Sequence, residues 1–231
     1  LIKFIFKLSF LHPNNRVIFQ NPENLNDFVS YGLVNKKNTA LIKGSGVDTD
    51  IFDYTSEPES IPVVMVASRM LLDKGIVEFV ESARIVKSTD TKARFILVGG
   101  LDFENPMSIK SAQLQKWVDE GIIEWWGNQD NMPQVFTQAH IVSLPSYAEG
   151  LPKVLIEASS CGRPIVTTNV SGCKETVRDG ENGFLVPAKN PKALADAFIK
   201  LISDKQLRQR MGEAGREMAI KEFSIQMVIK K

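Results

Sequence analysis

Cysteine and histidine are scarce in this sequence, with two of each among 231 residues. Cys161 and Cys173 are spaced unlike a metal knuckle or a C-x-x-C redox pair, which points to reduced structural thiols and a cytoplasmic setting. No His/Asp cluster with ligand spacing is present, so no metal site and no bound cofactor are expected. An excess of either charge is also lacking: 28 Lys plus Arg face 27 Asp plus Glu, a formal net charge of +1. The summed field gives no reason to expect nucleic acid as a partner. Recognition must be local. Long apolar runs are missing as well. The opening Leu1 to Leu11 (LIKFIFKLSFL) is too short to span a bilayer, and no small-residue cleavage site follows it. Two readings of this stretch stand: a helix packed against other parts of the fold, or, with Lys3 and Lys7 four apart among Phe and Leu, an interfacial helix on anionic lipid.

What the sequence does have is alternation. From about residue 61, short β-branched runs (Val63–Ala67, Phe95–Gly99, Ile122–Trp126, Ile141–Leu144, Ile165–Thr168, Phe184–Val186) alternate with stretches whose apolar residues recur every three or four positions, such as Val77, Val80, Ala83 and Val86. That pattern predicts βαβ units and an α/β fold: a Rossmann-like, doubly wound six-stranded parallel sheet covered on both faces. Two helices should close the chain, at about Pro191–Ser203 and Lys205–Phe223. The first 60 residues offer a strand (Val17–Gln20), a helix (Glu23–Tyr31), a strand (Thr39–Lys43), then Gly44-Ser45-Gly46 and a polar linker from Thr55 to Pro62.

An open parallel sheet presents its ligand crevice at the carboxyl ends of its strands, so the loops there should carry the chemistry. After the first strand of the main domain, Arg69 and Lys74 lie five residues apart before a helix, as either a diphosphate clamp or solvated surface charge. The second strand ends in Val98-Gly99-Gly100, which would permit close backbone approach, but no G-x-G-x-x-G follows and NAD binding loses its main support. The third ends in Trp125-Trp126-Gly127-Asn128, where the aromatics either border a flat base or pack. The fourth leads into Pro145-Ser146-Tyr147-Ala148-Glu149-Gly150-Leu151-Pro152, with a helix predicted from Pro152 and a Gly162 cap. Glu149 then stands just before that helix and Glu157 inside it, at most about 12 Å apart by helical rise. Spacing alone leaves the pair open between binding sugar hydroxyls and being ordinary structural carboxylates. His140 reads as a packing residue.

At this point the chain resembles the GT-B-fold retaining glycosyltransferases of the group 1, family-four type, whose hallmark is a Glu, seven residues and a second Glu. The likeness extends through Val17-Ile18-Phe19-Gln20-Asn21, Gly46-Val47-Asp48, Arg69 with Lys74-Gly75, Gly162-Arg163-Pro164 and Gly172-Cys173-Lys174-Glu175 to Asp179-Gly180-Glu181-Asn182-Gly183. The resemblance implies that Arg69 and Lys74 neutralise a departing diphosphate and that Glu149 contacts the transferred sugar, the three forming the catalytic set. It further implies that Glu157 takes the ribose hydroxyls while Gly150, Leu151 and Pro152 line the sugar-phosphate pocket. Gly99, Gly127 and Ser146 are expected to complete the donor site. Ser68 stands where relatives often carry Gly.

By the same resemblance, residues 1–60 are expected to be a remnant of an N-terminal acceptor-binding domain with the interdomain linker, and 61–231 the C-terminal nucleotide-sugar-binding domain. The implied substrates are a nucleotide-sugar donor, UDP-linked, and a glycan or lipid-linked acceptor held mainly by an N-terminal domain. A fragment of this kind should not transfer sugar alone. The intact enzyme would be cytoplasmic, with peripheral attachment to the inner membrane face as an option. Two alternatives share the fold: an epimerase or phosphorylase, although no context singles out a pyridoxal-phosphate lysine, and a non-catalytic sugar-nucleotide-binding module.

Overall fold

The computed structural model describes residues 2–10, 12 and 14–230; the two ends of the Leu1–Leu11 stretch lie outside them. The described residues up to 46 build a small unit. Helix α1 (Ile2–Ser9) precedes strand β1 (Val17–Phe19), helix α2 (Pro22–Ser30) and strand β2 (Thr39–Leu41), and β1 pairs with β2 in parallel. Phe6 of α1 meets Phe28 of α2 edge-on at 5.3 Å, and Phe28 in turn meets Phe19 at 5.2 Å. The opening helix therefore has a packing partner in α2. Its other side, with Ile2, Phe4, Ile5 and Leu8, stays exposed. Among the described residues no helix is long and apolar enough to cross a membrane.

The main domain follows with β3 (Val63–Ala67), α3 (Ile76–Lys87), β4 (Arg94–Val98), α4 (Ser111–Asp119), β5 (Glu124–Trp125), α5 (Met132–Phe136), β6 (Ile141–Leu144), α6 (Lys153–Ser160), β7 (Ile165–Thr168), β8 (Gly183–Val186), α7 (Pro191–Ser203), α8 (Lys205–Met218) and α9 (Ile225–Ile229). The six strands β3 to β8 form one parallel sheet in the order β5-β4-β3-β6-β7-β8. Chain order thus runs outward from the centre in both directions, reversing between β3 and β6. That reversal is the topological switch point at which doubly wound folds bind ligands.

The period-two alternation of a pleated strand divides the core. Val64 and Val66 of β3 face one apolar cluster with Phe79, Phe95 and Phe198, whereas Val63, Met65 and Ala67 face the other with Phe136, Leu155 and Ala158. Phe79, Phe95 and Phe198 meet edge-on, with centroids 5.7 to 6.0 Å apart, and so clamp α3 and α7 against β4. Each ring contributes about 2–3 kcal/mol by burial, with about 1 kcal/mol more for each edge-on pair.

Two helix ends differ from the sequence expectation, and the third strand of the main domain is shorter than expected, Glu124–Trp125 in place of Ile122–Trp126. The last long helix ends at Met218 and passes into a wider π turn over Ala219–Phe223. There the Phe223 carbonyl leaves the helical pattern to accept from the Val47 N–H at 2.8 Å, while the Phe223 side chain is buried beside Val47, Leu151 and Ile156. Pro152 is the cap of α6 in extended conformation (φ −73°, ψ 102°), and the helix proper starts at Lys153. Gly162 follows the helix end at φ +77°, the left-handed geometry expected there.

The stretch from Thr49 to Glu57 is fastened to the main domain by three arginines. Arg216 donates to the carbonyls of Thr49 (3.0 Å) and Phe52 (2.8 Å). Arg163, 1% exposed, donates to Phe136 O at 3.0 Å, to Ser56 O at 3.3 Å and to Thr55 Oγ1. Arg208 forms a two-pronged bond to Glu57 at 2.8 and 2.9 Å. His140 is buried as well: its Nδ1 accepts from the Val63 N–H and its Nε2 donates to Pro58 O, each at 3.0 Å. It is a neutral packing residue that ties this stretch to the amino end of β3.

Candidate functional site

The two strands flanking the switch point send their following loops toward each other. After β3 the chain makes a 3-10 turn, Leu72–Lys74, before α3. After β6, Ser146 and Tyr147 reach that turn: Ser146 Oγ and the Tyr147 N–H both donate to the Asp73 carbonyl, at 3.0 and 2.9 Å. Ser146 is fully buried and holds the loops together without facing the open cleft. Lys74 follows Asp73 in that turn. Lys74 Nζ donates to Glu149 Oε1 at 2.6 Å, with both side chains less than a fifth exposed.

A cleft of about 290 Å³ opens at the carboxyl edge of the sheet. Arg69 and Glu157 line it together with Gly99, Gly100, Asn128 and Val154. Glu157 points there because α6 places it one turn past Val154, on the same face. Burial raises the Glu157 carboxyl above its usual range, and Lys153, at 3.2 Å, partly opposes that. Arg69 is more open and donates to Asp102 Oδ2 at 2.8 Å. Gly99 adopts φ +131°, and a β-carbon there would sit 1.9 Å from the Ser68 carbonyl, so only glycine lets β3 and β4 end this close together.

The four charged residues singled out by sequence therefore divide into two groups. Lys74 and Glu149 bond directly, and Arg69 and Glu157 border the cleft. Among the supporting residues, only Gly99 lines the cleft. Gly127 acts one step behind it, its carbonyl accepting from the Gly99 N–H at 2.7 Å. The Gly150 carbonyl is engaged by Asn21 at 2.7 Å, and Leu151 and Pro152 are buried, Leu151 in the apolar cluster around Phe223. The tryptophans pack: Trp125 Nε1 donates to Gly99 O at 2.8 Å and Trp126 Nε1 to Glu124 at 3.3 Å. Among the described residues, no group of three or more His, Cys, Asp or Glu side chains could hold a metal ion.

Asp102, Asn128 and Lys153 were not singled out by sequence. Lys153 had a readable signal, since it stands four residues before Glu157 on a helix. Asp102 had none, being 33 residues from its partner.

The strand order and the switch point define an α/β domain of the doubly wound class. The chain belongs to the family of glycosyl transferases group 1, whose pattern matches residues 47–218. It is 30% identical over 233 residues to the N,N'-diacetylbacillosaminyl-diphospho-undecaprenol alpha-1,3-N-acetylgalactosaminyltransferase of Campylobacter jejuni, an alignment covering 95% of this chain and 59% of that enzyme. It is 31% identical over 166 residues to the capsular polysaccharide biosynthesis glycosyltransferase CapM of Staphylococcus aureus, covering 72% of this chain and 43% of that protein. The chain thus spans roughly half the length of these curated relatives. The fold matches the crystal structure of Anabaena HepE in complex with UDP and glucose, with a TM-score of 0.84 at 22% identity, over 100% of this chain and 66% of HepE. The six-stranded α/β domain is accordingly the C-terminal Rossmann-like domain of a GT-B fold.

Proposed function

We propose that this chain is the donor-binding half of a retaining glycosyltransferase that moves a hexose or N-acetylhexosamine from a UDP-linked sugar to a glycan or lipid-linked acceptor. The observation that carries the reading is that the segments following β3 and β6, the strands at the switch point, supply both the Lys74–Glu149 bond and the Arg69 and Glu157 that border the cleft. Glu157 is a largely buried acceptor suited to ribose hydroxyls. Arg69 and Lys74 supply positive charge for the diphosphate as it leaves, where preorganised charge lowers a barrier most. Glu149, already bonded to Lys74, lies where the sugar joins the diphosphate.

In this reading residues 1–60 belong with an acceptor-binding domain and the linker, and 61–231 form the donor domain. The acceptor is held by a domain beyond these residues, and this chain alone transfers nothing. The reaction takes place in the cytoplasm, with the exposed apolar side of α1 available to the inner membrane face. The names of the Campylobacter and Staphylococcus relatives support a glycan or lipid-linked acceptor, and the UDP and glucose held by HepE support the donor. The two cations, and no metal, serve the leaving group, so transfer by the intact enzyme should withstand EDTA.

Calorimetric titration with UDP and a panel of UDP-sugars tests the donor assignment. Absence of heat from a folded sample at millimolar UDP removes it.

A further inference from the structure

Glu149 is held at three points. Its carboxylate takes Lys74 at 2.6 Å, its N–H donates to Ser171 O at 3.1 Å, and its carbonyl receives a long contact, 3.5 Å, from Asn21 Nδ2. Asn21 lies 128 residues earlier, in the small N-terminal unit, where it caps α2. Its side chain is fully buried. Nδ2 also donates to Gly150 O at 2.7 Å, while Oδ1 accepts from the Asn24 N–H at 2.8 Å and from Ser171 Oγ at 3.1 Å. Both faces of the amide are thus occupied, and only one orientation satisfies them, since a flipped amide would aim its oxygen at two carbonyls.

The approach is close. A β-carbon on Gly150 would lie 2.5 Å from Gln20 Oε1. Two ion pairs flank the contact and join the same two parts of the molecule, Lys174 with Glu23 and Lys43 with Glu175. A helix cap needs only the oxygen of the Asn21 amide. The nitrogen is spent on the backbone of the loop that carries Glu149.

We propose that Asn21 is a positioning residue for Glu149: from the N-terminal unit it pins the Glu149–Gly150 backbone so that the carboxylate stays in register with Lys74. The assignment to donor chemistry rests on the reading given under Proposed function. The pinning itself does not. Assembly of the site thereby depends on contact with residues outside the sheet domain.

Asn21→Ser tests this, because serine is a good helix cap and cannot reach the carbonyls. Two measurements are made on the full chain. Hydrogen exchange of the 147–151 segment should speed up by about tenfold, the equivalent of one lost hydrogen bond, while α6 is unchanged. The ratio of UDP-sugar affinity to UDP affinity should fall by about tenfold, because Arg69 and Glu157 still hold the nucleotide and only the sugar end loses its aligned carboxylate. A merely structural Asn21 would lower both affinities together or neither. Unchanged exchange in the 147–151 segment, or an unchanged affinity ratio, overturns the proposal. Should Asn21→Ser not fold, Ser171→Ala removes the hydroxyl that orients the amide, leaves the cap intact and should move both readouts the same way. Wild-type protein that binds no UDP would refute the donor reading, and the exchange measurement would then decide the pinning by itself.

Discussion

Breaking the Lys74–Glu149 bond from either side should have effects of the same sign on stability and of opposite sign on UDP binding. The two groups are in hydrogen-bond contact at 2.6 Å and 17% and 16% exposed. Two unit charges about 4 Å apart near a protein surface attract by about 4 kcal/mol, and desolvation cancels much of that. Removing one partner of a fully buried pair costs about 3–5 kcal/mol; with partial exposure, about 2 kcal/mol is expected for Lys74→Met or Glu149→Gln. In a chain of this length that is a fall in Tm of about 4–8 °C. The double variant should cost about 1–2 kcal/mol less than the sum, since the second change removes the charge that the first left unpaired.

The effects on ligand then separate. Lys74→Met deletes a charge-assisted bond to the diphosphate worth about 1.5–3 kcal/mol, offset by the Glu149 bond that binding breaks, so UDP should bind more weakly, by at most roughly 10- to 150-fold. Glu149→Gln frees Lys74 from its competing partner, so UDP should bind more tightly while UDP-sugar loses relative to UDP. Urea melts of the four proteins in the double-mutant cycle and calorimetric titrations with UDP supply the numbers. Strict additivity of the two stability changes would show that the pair is not coupled. Weaker UDP binding in Glu149→Gln would refute the argument that the two carboxylates are divided between nucleotide and sugar.

Glu157→Gln should weaken UDP binding about tenfold or more through loss of a charged acceptor. In the wild type the same affinity should decline on acidification at a pH above the usual carboxylate range, because burial raises this group and only its ionised form accepts two hydroxyls; the variant should lack that decline in calorimetry at several pH values. His140 should make stability pH-dependent. Burial lowers its pKa in the folded state, so below about 6.5 the unfolded chain binds a proton that the folded chain refuses, and stability drops as pH falls, by at most about 1.4 kcal/mol per pH unit. His140→Phe should be less stable at neutral pH and lose that slope in urea melts. Arg163→Met should cost about 3 kcal/mol by leaving the carbonyls of Phe136 and Ser56 without their donor, with faster hydrogen exchange over residues 52–57.

The sheet was readable because its central strands β3, β6 and β7 are short β-branched runs buried on both faces, and the helices because their apolar spacing matches a single buried face. The third strand of the main domain shows where this stops. Ile122 and Ile123 continue the apolar run, yet ladder pairing to β4 involves only Glu124 and Trp125. Apolar content reports burial, whereas strand membership depends on which backbone groups meet a neighbour. The π turn at Ala219–Phe223 follows the same logic, since its cause is the Val47 N–H on a distant segment. At the site, residue types and loop placement were legible for Arg69, Lys74, Glu149 and Glu157. The Lys74–Glu149 bond was not, because 75 residues separate the partners and nothing local encodes the meeting. The expected lining by Gly150, Leu151 and Pro152 rested on resemblance. In the structure Asn21 holds the Gly150 carbonyl, and the Leu151 side chain packs in the cluster around Phe223.

Three cations at the crevice already have a carboxylate: Lys74 has Glu149, Arg69 has Asp102, and Lys153 has Glu157. An empty site built this way does not accumulate positive charge, which would otherwise strain the fold by self-repulsion. It also makes diphosphate binding an exchange of partners, so the gain is the difference between two charge-assisted bonds and not the whole of one. On the donor reading this has a kinetic use. Once the sugar has left, UDP has lost the contact with Glu149 that the sugar made, and Glu149 is free to recapture Lys74. The pair that holds the empty site in register therefore favours release of the product, and Glu149→Gln should slow UDP dissociation along with tightening its binding, a change that stopped-flow displacement can read directly.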